Sequence, residues 1–390
     1  MEYRTIRELC ELVVDCPHST PTWTNCGKIV IRNQYIKNGR IDFSAPSYTN
    51  EEHFLQRIKR AKPKYGDIII TREAPIGDVG MIPEGIECCL GQRMVLLRAN
   101  PKICDKYYLL YCLQSRYVQH QISWSEGTGT TVSNLRIPHL EQLKIPYPPM
   151  ETQRKIASIL RSIEEKMGTN RKINDNLQQQ AMALFHAYFP YAPTDDVPTD
   201  WRICALSDVT ENIRTRVKNQ NCTVLSSVNA GKLQPSEEYF TKQVFSKDIS
   251  NYIVVEENSF AYNPARVNIG SIGINNLGFL GCVSPVYVVF RVEEDYQYFF
   301  DFFIKTPRFR EEVRTRASGS VRQAMNYSDF GLIPIAYPPK SVIDNFNRLY
   351  LPIYHHIEHR KEENTRLAEL RDNLLPRLMS GEIDVSDIQI

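Results

Sequence analysis

The sequence lacks several features that would assign it to a membrane or secreted class of protein. No apolar run approaches the roughly 20 residues that a membrane-spanning helix needs. Acidic residues occur at the start, where a signal peptide would carry basic and then apolar residues. The ten cysteines include no CxxC pair, and none lies in the last hundred residues, so reduced and mostly buried thiols are expected. These absences together predict a cytoplasmic protein.

Motifs for nucleotide, methyl-transfer and metal chemistry are also missing. There is no GxxxxGK[ST] phosphate loop, which argues against an ATP-driven motor, and no HExxH pair. An adenine methyltransferase would need a glycine-rich cofactor turn and an Asn/Asp-Pro-Pro-aromatic tetrapeptide for the flipped base. Residues 262–265 (YNPA) come nearest, but they lack the second proline and the aromatic residue. His355, His356 and His359 fit a solvated or partner-facing helix surface better than a metal site.

What the sequence does contain is a repeat that divides it into two similar halves. A Tyr-Pro-Pro break precedes a long amphipathic segment at residues 147–149 and again at 337–339. Upstream of each break, matching segments predict a strand-turn-strand unit, a pair of buried strands and an apolar helix. These segments are, in the same order, residues 66–82, 89–98 and 107–115 in the first half and 258–274, 282–291 and 298–306 in the second.

The long segments after the prolines carry apolar residues at helical spacing, and the two stripes match without a gap. Either stripe alone could be one side of an ordinary core. Two matched stripes instead predict an antiparallel coiled coil. Polar interruptions at residues 169–176 and 359–365 mark where each helix is expected to bend or fray. The predicted helix-helix packing residues are Ile156, Leu160, Ile163, Met167, Leu177, Leu184, Phe346, Ile353, Ile357, Leu367 and Leu374.

The repeat predicts an α+β protein with two α/β globular domains in a pseudo-twofold repeat, separated by two long antiparallel coiled-coil helices. Three prolines and three aspartates in residues 189–201 are typical of a linker between the halves. The predicted boundaries are 1–149 for the first globular domain, 150–189 for a central helical spacer, 190–200 for the linker, 201–339 for the second globular domain and 340–390 for a C-terminal helical spacer and tail.

Basic residues form local clusters beside aromatic residues and turns, although the net charge is only +2. Such runs are usually just a solvated face. Arginine beside turns is, however, what phosphate positioning and bidentate recognition of guanine require. The clusters therefore supply the candidate DNA-binding residues, which are Arg57, Lys59, Arg60, Lys62, Lys64, Arg72, Arg93, Arg214, Arg216, Lys218, Arg266, Arg316 and Arg322.

The whole chain resembles a specificity subunit of a type I restriction-modification system. The most specific elements are the pattern Pro-Pro-x-x-x-Gln-x-x-Ile-Ala-x-Ile-Leu at residues 148–160 and the ending LAELRDNLLPRLMSGEI at 367–383. VPTDW at 197–201 is similar to the family's start of a second target-recognition domain, and GDIIITREAPIGDVG at 66–80 adds to the likeness. The second copy departs from the pattern at residues 342–344, which lack the glutamine of the first copy.

This resemblance implies a reader of DNA that has no catalytic residues, cofactor or metal of its own. Each globular domain would be a target-recognition domain for one half of a bipartite, asymmetric site in double-stranded DNA. The helices would set the spacer between the half-sites and dock two methyltransferase subunits. These partners would bind S-adenosylmethionine, and restriction or translocase subunits can join such a complex for cleavage.

Two alternatives remain open at this level. One is a self-contained DNA methyltransferase or nuclease with an unrecognised motif, and S-adenosylmethionine binding by the isolated chain would reveal it. The other is a scaffold that never touches DNA, whose repeat only builds symmetry. Salt-dependent binding to duplex DNA in complex with the methyltransferase would separate the reader from the scaffold.

Overall fold

The structure is a computed structural model and describes residues 2–37, 39–123, 134–228, 231–239, 245–317 and 324–388. The chain divides into two units. Unit 1 comprises Met1–Lys172 with Arg360–Ile390, and unit 2 comprises Ile173–His359. In the described part of the chain, no helix has both the length and the apolar character required to cross a bilayer.

Unit 1 contains two four-stranded sheets and two short strand pairs. The strands are β1 (Tyr3–Thr5), β2 (Cys10–Asp15), β3 (Trp23–Thr24), β4 (Lys28–Ile31), β5 (Ile36–Lys37), β6 (Arg40–Ile41), β7 (Ser47–Thr49), β8 (Ile68–Thr71), β9 (Val79–Met81), β10 (Cys88–Leu90), β11 (Met94–Ala99) and β12 (Lys144–Pro146). One sheet has the order β2-β11-β8-β9 and is antiparallel, and the other has the order β10-β4-β7-β3, with β10 and β4 parallel.

The apolar runs of unit 1 form strands because both faces of its antiparallel sheet are covered. Ile68 and Ile70 join the core beneath the helices, whereas Ile69 joins a second core on the other face. This alternation is the two-residue period of a strand. Most cysteines of the chain are buried or half-buried, as expected, and Cys26 is exposed. The helices are α1 (Ile6–Leu9), α2 (Glu51–Arg57), α3 (Lys106–Gln114), α4 (Arg116–Ser123) and α5 (Ile137–Gln142).

Unit 2 repeats this organisation with different residues. Its elements are β13 (Arg202–Ala205), β14 (Thr210–Ile213), β15 (Thr223–Val228), β16 (Lys232–Pro235), α7 (Ser236–Tyr239), β17 (Ile253–Val255), β18 (Phe260–Tyr262), β19 (Ile272–Ile274), β20 (Gly281–Val283), β21 (Val288–Val292), α8 (Gln297–Phe303), α9 (Pro307–Ala317), α10 (Tyr327–Gly331) and β22 (Pro334–Tyr337). The antiparallel sheet has the order β14-β21-β18-β19, and the second sheet, β16-β15-β20-β17, again contains one parallel pair, β15 with β20. The strand-turn-strand and buried-strand predictions are confirmed in both halves.

The two long helices are α6 (Met150–Tyr188) and α11 (Lys340–Ser380), and both begin directly after a Pro-Pro pair. Their contacts run in opposite directions within each unit. In unit 1, Glu164 of α6 lies 3.9 Å from Arg371 of α11, and six residues further along α6, Asn170 lies 2.7 Å from Glu363. The helices of the pair are therefore antiparallel, as predicted.

Neither helix is interrupted at its polar segment, so the expectation of fraying was wrong. Two of the polar side chains there, Asn170 and Asn174, are buried between the helices, and most of the others are exposed. In unit 2, Asn174 is 7% exposed and donates a hydrogen bond to the carbonyl of Ile357 at 3.2 Å. Side-chain amides thus hold the helices together where the apolar stripe stops.

The predicted packing residues divide according to their position along the helices. Near the start of α6, Ile156 and Leu160 belong to the same core as the sheet and helices of unit 1, and Leu374 packs against it. In unit 2, Phe346 belongs to the globular core, and Leu184 and Ile353 pack against that core. Among the other predicted packing residues, the buried ones are Met167 and Ile357, and the half-buried ones are Ile163, Leu177 and Leu367. The stripe is therefore also part of each globular core.

The missing glutamine of the second copy is replaced one helical turn later. In unit 1, Gln153 is fully buried, accepts a hydrogen bond from the Asp105 amide at 3.0 Å and donates one to the Pro148 carbonyl at 3.0 Å. In unit 2, Ile343 occupies the equivalent position, and Asn347 donates to the Asp295 carbonyl at 2.8 Å. Each unit therefore ties the start of its long helix to its globular part through a buried amide.

Candidate nucleic-acid interface

Several turns of unit 1 meet at one end of its sheets, which we call the Arg72 end. The end of β2 pairs with the start of β11, since Asp15 lies opposite Val95, and Thr71 at the end of β8 lies opposite Met94. The second sheet joins the same end, because the Gly91 amide donates to the carbonyl of Ile31 at 2.7 Å. The Arg72 end therefore consists of residues 15–20, 31–35, 72–78 and 91–93.

The opposite end, which we call the Lys62 end, carries a different group of predicted basic residues. Lys62 binds Glu87 at 2.6 Å, and Lys28 contacts the other oxygen of the same carboxylate. Lys28 begins β4 and Glu87 precedes β10, so these contacts lie where both parallel strands start. The two lysines lower the pKa of Glu87 to about 2. This carboxylate stays ionised and offsets positive charge at the Lys62 end.

Lys59, Arg60 and Lys64 are exposed residues of the segment between α2 and β8. The Lys64 amide donates to Asp67 at 2.8 Å, directly before β8, so Lys64 also lies at the Lys62 end. The sequence places them close to Arg72, but strand β8 separates the two groups. The basic residues that cluster in the sequence of the first half therefore do not form one patch.

Arg57 has a different environment from the other members of its cluster, because it is only 5% exposed. Its guanidinium donates to the carbonyls of Leu90 at 2.7 Å, Ser19 at 2.8 Å, Gly91 at 2.9 Å and Pro17 at 3.1 Å. Burial lowers the pKa of this guanidinium. Arg57 thus fixes two turns of the Arg72 end from inside the unit, and contact with DNA would require these bonds to break.

Arg72 is half-buried, and all three of its guanidinium nitrogens have partners within unit 1. Nε donates to the Leu135 carbonyl at 2.9 Å, and one terminal nitrogen binds both carboxylate oxygens of Asp15 at 2.9 Å. The other terminal nitrogen donates to the amide oxygen of Asn134 at 3.2 Å. The structure therefore uses this arginine to join β2, β8 and the segment before α5.

Arg93 is exposed and adopts a left-handed backbone conformation, with φ of 66°. Its nearest carboxylate is that of Glu73, at 3.4 Å from Nε, and the Asn134 amide donates to the same carboxylate at 2.7 Å. A positive φ is uncommon for residues other than glycine and is often found at functional sites. Of the predicted basic residues at the Arg72 end, Arg93 is the one whose side chain faces solvent.

Sequence reasoning missed a further arginine at this end, Arg32. It directly follows β4, and its guanidinium carbon lies 5.3 Å from the centre of the Trp23 ring. The next residue, Asn33, donates to the carbonyl of Ala74 at 2.9 Å, which places this turn beside the β8-β9 turn. Arg32 is isolated in the sequence, and no cluster pointed to it. The sequence offered two signals for this pair, namely an arginine directly after an apolar strand and a tryptophan nearby.

Unit 2 places its basic residues at the equivalent end of its own sheet. Ile213 at the end of β14 lies opposite Val289, and Tyr262 at the end of β18 lies opposite Val288. Arg214, Arg216 and Lys218 follow β14 and are exposed. Arg216 donates to the carbonyl of Asn251 at 2.8 Å, and Lys218 has a positive φ of 54°.

Two further predicted residues of unit 2 differ in exposure. Arg266 is exposed in the β18-β19 connection, the counterpart of the turn that contains Glu73. Arg316 is half-buried near the end of α9 and pairs with Glu312 at 3.2 Å. Arg322 lies outside the described residues. The DNA-binding role of each residue named from the sequence stays a prediction.

Glu164 of α6 connects the globular part of unit 1 to both long helices. Its carboxylate accepts a hydrogen bond from the Tyr111 hydroxyl at 3.1 Å and lies 3.9 Å from Arg371 of α11. Arg40, from the β5-β6 hairpin, donates to the Glu164 carbonyl at 2.8 Å. Burial raises the pKa of the Glu164 carboxyl, and the nearby arginines oppose the shift. Its neighbour Glu165 is exposed.

The described residues contain no group of three or more His, Cys, Asp or Glu that could hold a metal ion. His355, His356 and His359 lie on α11, and all three are exposed. The arrangement of basic and aromatic side chains at the turn ends can bind an anionic polymer and donate hydrogen bonds to it. These side chains are of the kinds that contact the phosphates and base edges of nucleic acids.

Comparisons with known proteins find similar sequences and a similar fold. Residues 1–179 match the family model described as type I restriction modification DNA specificity domain. The chain is 23% identical over 362 residues to the MjaIX type I restriction enzyme specificity subunit of Methanocaldococcus jannaschii, covering 84% of this chain and 80% of that one. It is 22% identical over 374 residues to the HindI specificity subunit of Haemophilus influenzae, covering 75% and 80%.

The fold is similar to that of the type I restriction-modification S subunit from M. genitalium, with a TM-score of 0.55 at 15% identity over 97% of this chain and 95% of that chain. A chain from a structural study of assembly and conformational transition in a type I R-M system gives a TM-score of 0.50 at 15% identity, covering 98% of both chains. The chain is therefore similar over most of its length to type I restriction-modification specificity subunits, and its first 179 residues match the DNA specificity domain of that family.

Proposed function

We propose that this chain is the DNA sequence-specificity subunit of a type I restriction-modification complex and has no catalytic activity of its own. One observation carries the proposal. Both units build the same pair of sheets, with turns converging at the same end, but they present different side chains there. A shared scaffold with different residues at equivalent turns suits two readers of two different sequences.

Each unit would read one half of a bipartite, asymmetric DNA site. The side chains available for this differ between the units. Unit 1 presents Arg93 together with Arg32 and Trp23, whereas unit 2 presents Arg214 and Arg266. Because these sets are not equivalent, the two half-sites should differ in sequence, and the complete site should not be palindromic.

The long helices would set the spacer between the half-sites. Helix α6 has 39 residues, which corresponds to a length of about 58 Å at a rise of about 1.5 Å per residue. Half-sites one DNA turn apart have centres about 34 Å from each other. In unit 1 the buried amide of Asn170 and the carboxylate of Glu164 both contact α11. Such contacts resist sliding of one helix along the other and would keep the spacer constant.

The proposed partners are double-stranded DNA and two methyltransferase subunits, which would dock on the helices and globular parts. Those subunits would bind S-adenosylmethionine and carry out the chemistry, and restriction or translocase subunits would add cleavage. The similarity to known specificity subunits supports this division of labour. The relatives named above are specificity subunits of type I restriction enzymes.

The test is to assemble the full chain with its methyltransferase subunit and S-adenosylmethionine, and to map methyladenine on a random-sequence duplex library. The proposal predicts two short, different half-sites separated by a spacer of constant length. Methylation without sequence preference would contradict it. S-adenosylmethionine binding and methylation by the isolated chain would favour the self-contained enzyme. Assembly without any contribution to DNA binding would favour the scaffold.

A further inference from the structure

The arginines of the Arg72 end differ in how many of their N–H donors the protein itself uses. The donors of Arg57 go to main-chain carbonyls, and those of Arg72 go to Asp15, Asn134 and Leu135. For Arg32 the contact found within the described residues is with the ring of Trp23, and none of its nitrogens has a carboxylate or carbonyl partner there. Its donors are therefore available to a ligand.

Trp23 orients this guanidinium without using its donors. The indole is 46% exposed, and the guanidinium lies 5.3 Å from the ring centre. A cation above an aromatic face is held by the ring's electrostatic field, and the N–H groups at the edge of the guanidinium remain free. An arginine oriented in this way has less side-chain freedom to lose on binding than a freely rotating one.

The surroundings of Arg32 fit the edge of a base. Arg32 and Trp23 line a cleft of about 370 Å³ at the surface of the β10-β4-β7-β3 sheet. The cleft offers hydroxyl and amide groups next to the guanidinium, and the residues that complete its lining are Thr24, Asn25, Pro46, Ser47 and Tyr48. Such groups position a nucleic acid and add hydrogen bonds beside an arginine contact.

We propose that Arg32, held by Trp23, is a specificity-determining residue of unit 1 and contacts the major-groove edge of a guanine in the half-site that this unit reads. The inference rests on the proposed function and names a residue for it. Guanine presents two acceptors, O6 and N7, at the spacing that a guanidinium meets with two parallel N–H bonds. Arg32 combines free donors, fixed orientation and a place beside the exposed Arg93 turn.

The experiment uses the full chain with its methyltransferase subunit, S-adenosylmethionine and the random duplex library. Arg32→Ala should reduce the preference for guanine at one position of one half-site by about 5- to 150-fold, the equivalent of about 1–3 kcal/mol. Arg32→Lys should weaken the same preference, because an ammonium cannot form the bidentate pair. The other half-site and the spacer should stay the same. The matched control is Lys102→Ala, at an exposed lysine after β11 that is not a candidate DNA-binding residue and lies at the end of the sheet opposite Arg72. It should leave every base preference unchanged.

Trp23→Phe gives a second measurement, since a smaller ring orients the guanidinium less well and should relax the same position. Thermal unfolding of each variant identifies any loss of folding. If Arg32→Ala is unstable, the guanine preference of Arg32→Lys provides the test instead. Unchanged guanine preference in the folded Arg32 variants would overturn the inference and leave the proposed function intact. A uniform loss over all sequences with a shallower salt dependence would also overturn it, since that marks a phosphate contact. If the unaltered complex shows no bipartite site, the proposed function fails, and the inference fails with it.

Discussion

The side-chain amide of Asn170 donates a hydrogen bond to the carboxylate of Glu363 at 2.7 Å, and thereby joins α6 to α11 within unit 1. Asn170 is 1% exposed, and the same nitrogen lies 3.0 Å from the side-chain oxygen of Asn364. An apolar residue at this position would add stability through simple burial. A buried asparagine between two helices instead fixes which residues face each other.

Replacement of Asn170 by alanine should lower the free energy of unfolding by about 1–2 kcal/mol, because it removes the hydrogen bonds from a buried amide to the half-buried side chains of Glu363 and Asn364. Chemical denaturation of the full chain measures this change. Lys172→Ala, two residues away and exposed, should change stability by less than about 0.5 kcal/mol. Equal stability of the two variants would contradict a role for the buried amide.

Arg57→Ala should destabilise unit 1 by about 3 kcal/mol or more, because four main-chain carbonyls lose their donor in a buried site. The measurement is the free energy of unfolding, with Lys59→Ala as the exposed control from the same basic cluster. A folded Arg57→Ala variant of unchanged stability and weaker DNA binding would restore the role that the sequence cluster suggested.

Much of the fold follows from the internal repeat. Matched apolar runs located β8, β9, β11, β18, β19 and β21, and the prolines located the starts of α6 and α11. These elements could be predicted because the periodicities of strands and helices depend on local sequence. The continuity of the long helices was not predictable in this way. It depends on hydrogen bonds such as that from Asn174 to Ile357, which join residues far apart in the chain.

The candidate site was harder to predict from the sequence than the fold. Arg57, Lys62 and Arg72 lie close together in the sequence, but strand β8 carries the chain from one end of the sheet to the other between Lys62 and Arg72. Burial of Arg57 could not be foreseen, since charged residues are mostly exposed. Arg32 and Trp23 meet only because of tertiary packing across the β10-β4-β7-β3 sheet.

Arg266→Ala should relax one base position of the half-site read by unit 2 and cost about 1–3 kcal/mol of discrimination there. The residue is exposed in the β18-β19 turn, so stability should change by less than about 0.5 kcal/mol. Methyladenine mapping of the assembled complex measures the effect. Arg291, exposed near the other end of the same sheet, supplies the control Arg291→Ala. Loss of activity on all sequences alike would assign Arg266 to a phosphate.

Glu164→Gln should make the chain more stable at neutral pH, because the raised pKa of this carboxyl means that the folded state disfavours its ionised form. The ionised carboxylate lowers stability above the pKa of the unfolded chain, and protonation removes that penalty as the pH falls. The gain in thermal midpoint over the unaltered chain should therefore shrink towards pH 4. Glu165→Gln, at the exposed neighbour, should show no such gain. A gain that grows on acidification would contradict the burial of a charge at Glu164.

The central claim is that each unit reads its own half-site, and exchange of one globular part tests it most directly. Residues 1–149 would be replaced by the corresponding domain of another type I specificity subunit, with both long helices retained. The chimaera would be assembled with the methyltransferase subunit, and its methyladenine pattern would be mapped. The account predicts that one half-site changes while the other half-site and the spacer length stay the same. A correctly assembled chimaera in which both half-sites change together, or both are lost, would contradict it.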